Sequence, residues 1–393
     1  MRNFVASRTV ALAVWIFLSL QFAPAVTFQI ADPTEFSKII DTNTVILTTN
    51  ATIATWLEGP VWLPGTNCLV FCDQNNNRLK KLVPPNTVTD FLLPPASTLY
   101  NGTILDAQER LLAVQAGSGG LRVVLITNGL VTPLVSTCNG LKFYSPNDLA
   151  VKSDGTIWFT DPGYNGNVNP PPQPGFQNGY YVFQFNPTNG DATCSPVITN
   201  GIIRPNGICF SPDESKLYVA DSDTGRHRIQ VYSVSSSNTL SGGGIFATIT
   251  NGVPDGIRCD AEGRVWSSGG DAAYIFAPDG HLIGKIRFGK VVNLCFGGPQ
   301  YKTLYMVGQP VVTSIPVLVA GTPSLKKLQP AFADGQLNLF WPAPSTGFAL
   351  QETEQLDPPA WTTSSLTPTV TNGQNWIRVE KTNTARFFRL RLN

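Results

Sequence analysis

Asn147-Asp-Leu-Ala-Val-Lys-Ser-Asp-Gly155 runs directly into Thr156-Ile-Trp-Phe-Thr-Asp161. The first stretch is a polar opener, a short apolar run and a Ser-Asp-Gly turn. The second is rich in β-branched and aromatic residues and ends on a carboxylate. Together they predict two antiparallel strands behind a fixed polar residue. The phrase recurs. Glu58-Gly-Pro-Val-Trp62 leads to Cys68-Leu-Val-Phe-Cys-Asp73, and Asn101-Gly-Thr-Ile-Leu-Asp106 leads to Arg110-Leu-Leu-Ala-Val114. Asn206-Gly-Ile-Cys-Phe-Ser-Pro-Asp213 precedes Lys216-Leu-Tyr-Val-Ala-Asp221, and Asp255-Gly-Ile-Arg-Cys-Asp-Ala-Glu-Gly263 precedes Arg264-Val-Trp266. A weaker copy, Asn293-Leu-Cys-Phe-Gly-Gly298, precedes Leu304-Tyr-Met306.

Copies begin roughly 40 to 60 residues apart, the length of one four-stranded propeller blade. Six copies close a ring, so the chain reads as all-β, a six-bladed β-propeller over residues 26–322. The segment Val45 to Thr52 is placed to supply a strand that completes the last blade. A β-sandwich would show hairpins without a polar residue opening each unit. Residues 323–393 lose the repeat. There Leu337–Trp341, Gly347–Gln351, Trp376–Val379 and Arg386–Leu392 read as strands of a small β-sandwich module. Between Gly163 and Gly179 the run Pro170-Pro171-Pro172 cannot donate ladder hydrogen bonds, so that stretch is a loop, either a surface excursion or a rim over a pocket.

Composition agrees. Of 393 residues, 35 are glycine and 31 proline, which suits short strands and many turns. The net charge of +1 provides no basic field for nucleic acid. Arg2 and Arg8, the apolar run Val10 to Leu20 and Ala23-Pro24-Ala25 form a signal-peptide pattern over residues 1–25. Export to the periplasm or exterior follows, with no stable membrane insertion after cleavage; an uncleaved anchor is the alternative. The seven cysteines show no CxxC pair and read as buried thiols.

In a propeller, equivalent positions of different blades converge on the central axis. Glu58, Asn147, Asn206 and Asp255 should therefore meet at the channel mouth, with Asn101 and Asn293 in the matching places of the other two blades. Two carboxylates and two amide oxygens form a hard donor set suited to Ca²⁺, with Mg²⁺, Mn²⁺ or Zn²⁺ as substitutes. A zinc centre built on histidines is hard to assemble from His227 and His281, neither of which opens a blade. Asn-Gly and Asp-Gly pairs are also ordinary turn formers, a reading open for Asn101 and Asn206 taken alone but not for a glutamate at Glu58. No Gly-x-Ser-x-Gly elbow or phosphate-binding glycine loop is present. Asp73, Asp161 and Asp221, each ending a second strand, read as turn anchors.

These phrases resemble the senescence marker protein/gluconolactonase/regucalcin family of six-bladed propellers, in particular its bacterial gluconolactonase branch. Glu58-Gly-Pro-Val-Trp62, Ser145-Pro-Asn-Asp148 with its continuation to Pro162, Pro205-Asn-Gly-Ile208, Pro254-Asp-Gly-Ile-Arg258 and Asn293-Leu-Cys-Phe-Gly-Gly298 carry the resemblance. It implies that Glu58, Asn206 and Asp255 match metal ligands and that Asn147 matches a position binding metal or substrate. Asp255 matches the proposed general base, and Asn101 is placed to contact substrate. The expected activity is hydrolysis of a small-molecule sugar lactone. The alternatives are a related aryl-ester or organophosphate hydrolase, and a non-catalytic propeller binding a carbohydrate or protein. One departure stands out: the branch's usual Glu-His pair is replaced by Gln115-Ala116.

Overall fold

The computed structural model describes residues 27–392, apart from 54, 165–170, 323–327, 334–335, 343–347, 372–373 and 383. The leader over residues 1–25 and the proposed boundary at residue 323 lie outside the described residues. Six antiparallel sheets follow one another along the chain. In the first, Leu57–Leu63 pairs with Cys68–Asp73, followed outward by Arg78–Val83 and Thr87–Leu92. The second to fifth blades begin with inner strands Tyr100–Leu105, Leu149–Val151, Pro205–Phe210 and Ile257–Cys259. The sixth contains Val291–Gly297, Thr303–Gly308 and Val311–Pro316, and its outer strand is Thr48–Thr52 from the start of the chain. That last pairing closes the ring with the segment expected to do so.

A second N-terminal strand, Thr27–Ile30, was not anticipated. It adds a fifth strand to the fifth blade by pairing with Leu282–Arg287. The short helix Pro33–Ser37 follows, with Asp32 capping Glu35 N at 3.0 Å. Phe36 of this helix packs against Gly284, where a Cβ would lie 2.6 Å from its ring.

The inner two strands of the blades are buried along nearly their whole length, and the core divides into clusters between neighbouring blades. Val70 and Leu79 meet Ala113 and Val124 between blades one and two. Trp158 and Val182 meet Ile208 and Val219 between blades three and four, and Trp62 meets Tyr305 between six and one. Each fully buried side chain of this size contributes about 1.5–3 kcal/mol, so every blade is held through both faces. Beyond the propeller, one sheet contains Gln329–Ala333, Gln336–Pro342, Gln374–Val379 and Thr369–Thr371. A second contains Thr362–Thr363, Phe348–Thr353 and Phe387–Leu392. Leu339, Trp341 and Ile377 share a small core with Leu350 across the two sheets. Among the described residues no helix is long and apolar enough to cross a membrane.

Candidate active site

The polar residue of each repeat was expected just before the inner strand. In four blades it lies inside that strand, beside a break in register. Pairing shifts between Glu58 and Val61, between Tyr100 and Thr103, between Pro205 and Ile208, and between Val291 and Asn293. Such bulges re-aim a side chain that regular pleating would point elsewhere. In four blades a glycine follows the opener (Gly59, Gly102, Gly207 and Gly256), and it serves close approach. A Cβ at residue 207 would lie 2.0 Å from the Asp255 carbonyl oxygen, and one at residue 256 would lie 2.0 Å from Asn293 Oδ1. Gly207 N instead donates to Asp255 O at 3.1 Å, drawing neighbouring inner strands together.

The result is a pocket of about 520 Å³ lined by Glu58, Asn101, Asn147, Asn206 and Asp255, the residues singled out from the repeat. Asn293 does not line it. Its Nδ2 donates to Glu58 Oε2 at 3.2 Å and its Oδ1 accepts from Leu294 N at 2.8 Å, so it supports Glu58 from behind. Trp56 Nε1 donates to Glu58 Oε1 at 3.2 Å, and Lys290 stacks over the Trp56 ring at 4.0 Å.

The strand-ending aspartates hold the approach to these positions. Asp161 accepts from Tyr144 N at 2.8 Å and Ser145 N at 2.5 Å, fixing the chain that enters Asn147. Asp221 accepts from Ile203 N at 3.2 Å and Arg204 N at 2.9 Å, just before Asn206. Both are fully buried anchors.

Charge is concentrated around the pocket. Burial raises the Glu58 carboxyl to about 7, against the pull of hydrogen bonds from Asn293 and Trp56, and Asp148 adds to the rise. Asp255 is pushed well above the ordinary range, first by burial and then by Glu58 and Asp148; Asn206 and Lys290 act the other way. Asp148, which the sequence reading passed over, is fully buried and paired with Arg258 at 3.0 Å. Counted ionised, Glu58, Asp148 and Asp255 carry three negative charges, of which Arg258 balances that of Asp148 and Lys290 partly offsets that of Asp255. The charge left over is negative and favours a bound cation.

The donor set fits such an ion. Asn101 Oδ1 is buried with no hydrogen-bond partner and belongs to a side chain lining the pocket. Among the described residues, no three histidine, cysteine or carboxylate side chains cluster as a metal centre. A cation here would therefore rely on two carboxylates and amide oxygens, which is hard-ion chemistry. His281 is an exposed residue beside Asp279, and His227 bonds to the Gly252 carbonyl; neither lines the pocket. Gln115 is buried away from it, donating to Tyr100 Oη at 2.9 Å and accepting from Arg122 Nε at 2.6 Å. Tyr164 and Ser222 also line the pocket, and no repeat phrase marks either.

Comparison with known proteins agrees with this architecture. The gluconolactonase of Zymomonas mobilis is 31% identical over 298 residues, which cover 70% of this chain and 82% of that protein. Pentonolactonase XacC of Haloferax volcanii is 25% identical over 63% of this chain and 80% of its own. The solved gluconolactonase of Xanthomonas campestris superposes with a TM-score of 0.66 at 29% identity, covering 76% of this chain and 96% of that one. Residues 56–309, from the indole beside Glu58 to the sixth blade, match the SMP-30/gluconolactonase/LRE-like region, and the chain belongs to that family.

Proposed function

We propose that this protein hydrolyses a sugar lactone at a divalent cation held by Glu58, Asn147, Asn206 and Asp255. The observation that carries the reading is one pocket in which two carboxylates with raised pKa face amide side chains from successive blades. The names of the Zymomonas and Haloferax relatives support the substrate class. A bound cation, Ca²⁺ in first place and Mg²⁺, Mn²⁺ or Zn²⁺ otherwise, would offer positive charge to the carbonyl oxygen and acidify nearby water.

The chain's own residues do the rest. Asp255 accepts a proton from the attacking water as its oxygen bonds to the carbonyl carbon. The bond between the ring oxygen and the carbonyl carbon then breaks, and the ring oxygen takes up the proton that Asp255 received, leaving as the hydroxyl of the acid product and returning Asp255 to its carboxylate. Asn101 and Asn147 bind substrate hydroxyls, orienting the ring for attack. Ala116 stands where the branch usually has its histidine, so that position offers no imidazole to share the proton. The base role is assigned to Asp255, the position that matches the family's proposed base. The leader pattern makes the enzyme an exported one. Acid release from glucono-1,5-lactone that stops on chelation and returns with Ca²⁺ tests the proposal.

A further inference from the structure

Residues 249–256 connect the outer strand Leu240–Thr248 of the fourth blade to the inner strand Ile257–Cys259 of the fifth. This connection delivers Val253 and Asp255 to the pocket wall, yet none of its residues pairs in a sheet. A segment without a strand partner must bond its backbone elsewhere. Two of its carbonyls go to a single turn of the fourth blade, the one between Lys216–Asp221 and Arg228–Val234. Ser222 Oγ donates to the Pro254 carbonyl at 2.5 Å, and His227 Nδ1 bonds to the Gly252 carbonyl.

The turn is itself fixed. Asp223 Oδ1 accepts from Gly225 N at 3.0 Å, the Asp223 carbonyl accepts from His227 N at 3.1 Å, and Ser222 N donates to the Arg204 carbonyl at 2.9 Å. His227 ends the turn with φ +48°, and its carbonyl accepts from Ile249 N at 2.7 Å. One residue thus grips the connection twice, by its backbone at 249 and by its ring at 252. A carbonyl oxygen only accepts, so Nδ1 carries the hydrogen, which the neutral and the protonated ring can both supply. From the fifth blade, Gly270 N donates to the Asn251 carbonyl at 2.9 Å, and a Cβ at residue 252 would lie 2.5 Å from Gly270 Cα. The carbonyls held by the fourth blade, 252 and 254, alternate with the side chains that line the pocket, 253 and 255.

We propose that His227 and Ser222 are positioning residues that place Asp255 for the reaction by clamping the backbone that carries it. This rests on the reading of Asp255 as the base. His227 acts from outside the pocket, which it does not line. A shift of about 1 Å at a reacting group costs on the order of 10²-fold in rate, so a clamp this close to Asp255 bears on the chemical step. Asn101 and Asn147, assigned to substrate hydroxyls, belong to other blades and are left in place.

The test keeps the backbone and changes the donor. His227→Gly accepts the left-handed turn and removes the ring; His227→Asn also accepts that turn and restores an N–H at the same reach. Ser222→Ala repeats the test at Pro254, where no left-handed residue is involved. In chelator, hydrogen exchange of the peptide over residues 249–256 should run about tenfold faster in His227→Gly and Ser222→Ala, since each leaves a carbonyl unpaired. His227→Asn should exchange as the wild type does. On glucono-1,5-lactone with Ca²⁺, kcat should fall about 10- to 100-fold in the first two variants, with KM near that of the wild type, and recover in His227→Asn. Wild-type exchange and kcat in His227→Gly and Ser222→Ala, no recovery in His227→Asn, or a loss carried by KM alone would overturn the proposal. A wild-type protein that opens no lactone contradicts the hydrolase reading and the proposed role with it, whatever exchange shows of the clamp.

Discussion

Arg258 Nη1 lies 3.0 Å from Asp148 Oδ2, joining residues 110 positions apart directly beside the candidate site. Arg258 enters from the fifth blade and Asp148 from the start of the third. The same guanidinium donates to the Ile257 carbonyl at 2.7 Å. One buried guanidinium thus balances Asp148, whose charge raises both Glu58 and Asp255.

Arg258→Leu should destabilise the fold by about 3–5 kcal/mol, since it leaves a buried charge without its partner. Chemical denaturation in chelator measures this. Adding Asp148→Asn should recover part of the loss, because the uncompensated charge is then gone.

Close approach between inner strands gives a second expectation. Gly207→Ala places a methyl 2.0 Å from the Asp255 carbonyl oxygen, where neither backbone can retreat freely. A loss of about 1–3 kcal/mol is expected from overpacking. Cation affinity should fall with it, since Asn206 and Asp255 flank the contact.

Much of this was legible in the sequence, and the rest was hidden for physical reasons. The repeat located six inner strands and five of the residues lining the pocket, because rotation about one axis turns sequence period into spatial convergence. Thr48–Thr52 was readable as the closing strand because only one blade was left incomplete. Thr27–Ile30 was not, being four residues with three exposed and no alternation to signal a strand. Asn293 looked like the other openers, yet its amide turns back on Glu58; side-chain direction at a bulge is a local matter that spacing does not encode. Asp148 was overshadowed by its neighbour Asn147, since adjacent residues normally point apart. Tyr164 belongs to a loop whose course depends on Arg204 and Tyr180, both remote in sequence.

Stability should depend on pH in an unusual direction. Glu58 stands at about 7 in the folded protein against an ordinary 4.5, and Asp161 at about 7 against 3.8. A carboxyl raised on folding retains its proton longer than in the unfolded chain. Its stabilising effect is therefore full below the unfolded value and is lost as pH rises through the folded one. Glu58 alone accounts for about 3 kcal/mol of such a loss. Thermal midpoints in chelator should fall between about pH 5 and 7 from these groups. Ca²⁺ should remove the share of Glu58 and leave that of Asp161, which is a backbone anchor away from the pocket.

Asp255→Asn should leave the propeller folded, because the amide fits the same space. Turnover should fall by about 10²–10⁴ through loss of the base. Circular dichroism alongside steady-state rates on glucono-1,5-lactone separates the two effects. Substantial retained turnover would remove Asp255 from the base role.

The most direct measurement compares wild-type protein and Glu58→Gln, both lacking residues 1–25, for acid release from glucono-1,5-lactone after subtraction of spontaneous opening. Each is assayed in chelator and again with Ca²⁺, Mg²⁺, Mn²⁺ or Zn²⁺ restored. The account predicts turnover in the wild type that vanishes in chelator, returns with Ca²⁺, and is lost in Glu58→Gln under every condition. Turnover that survives chelation and the Glu58→Gln change, or a folded, cation-loaded protein that opens no lactone, would contradict it.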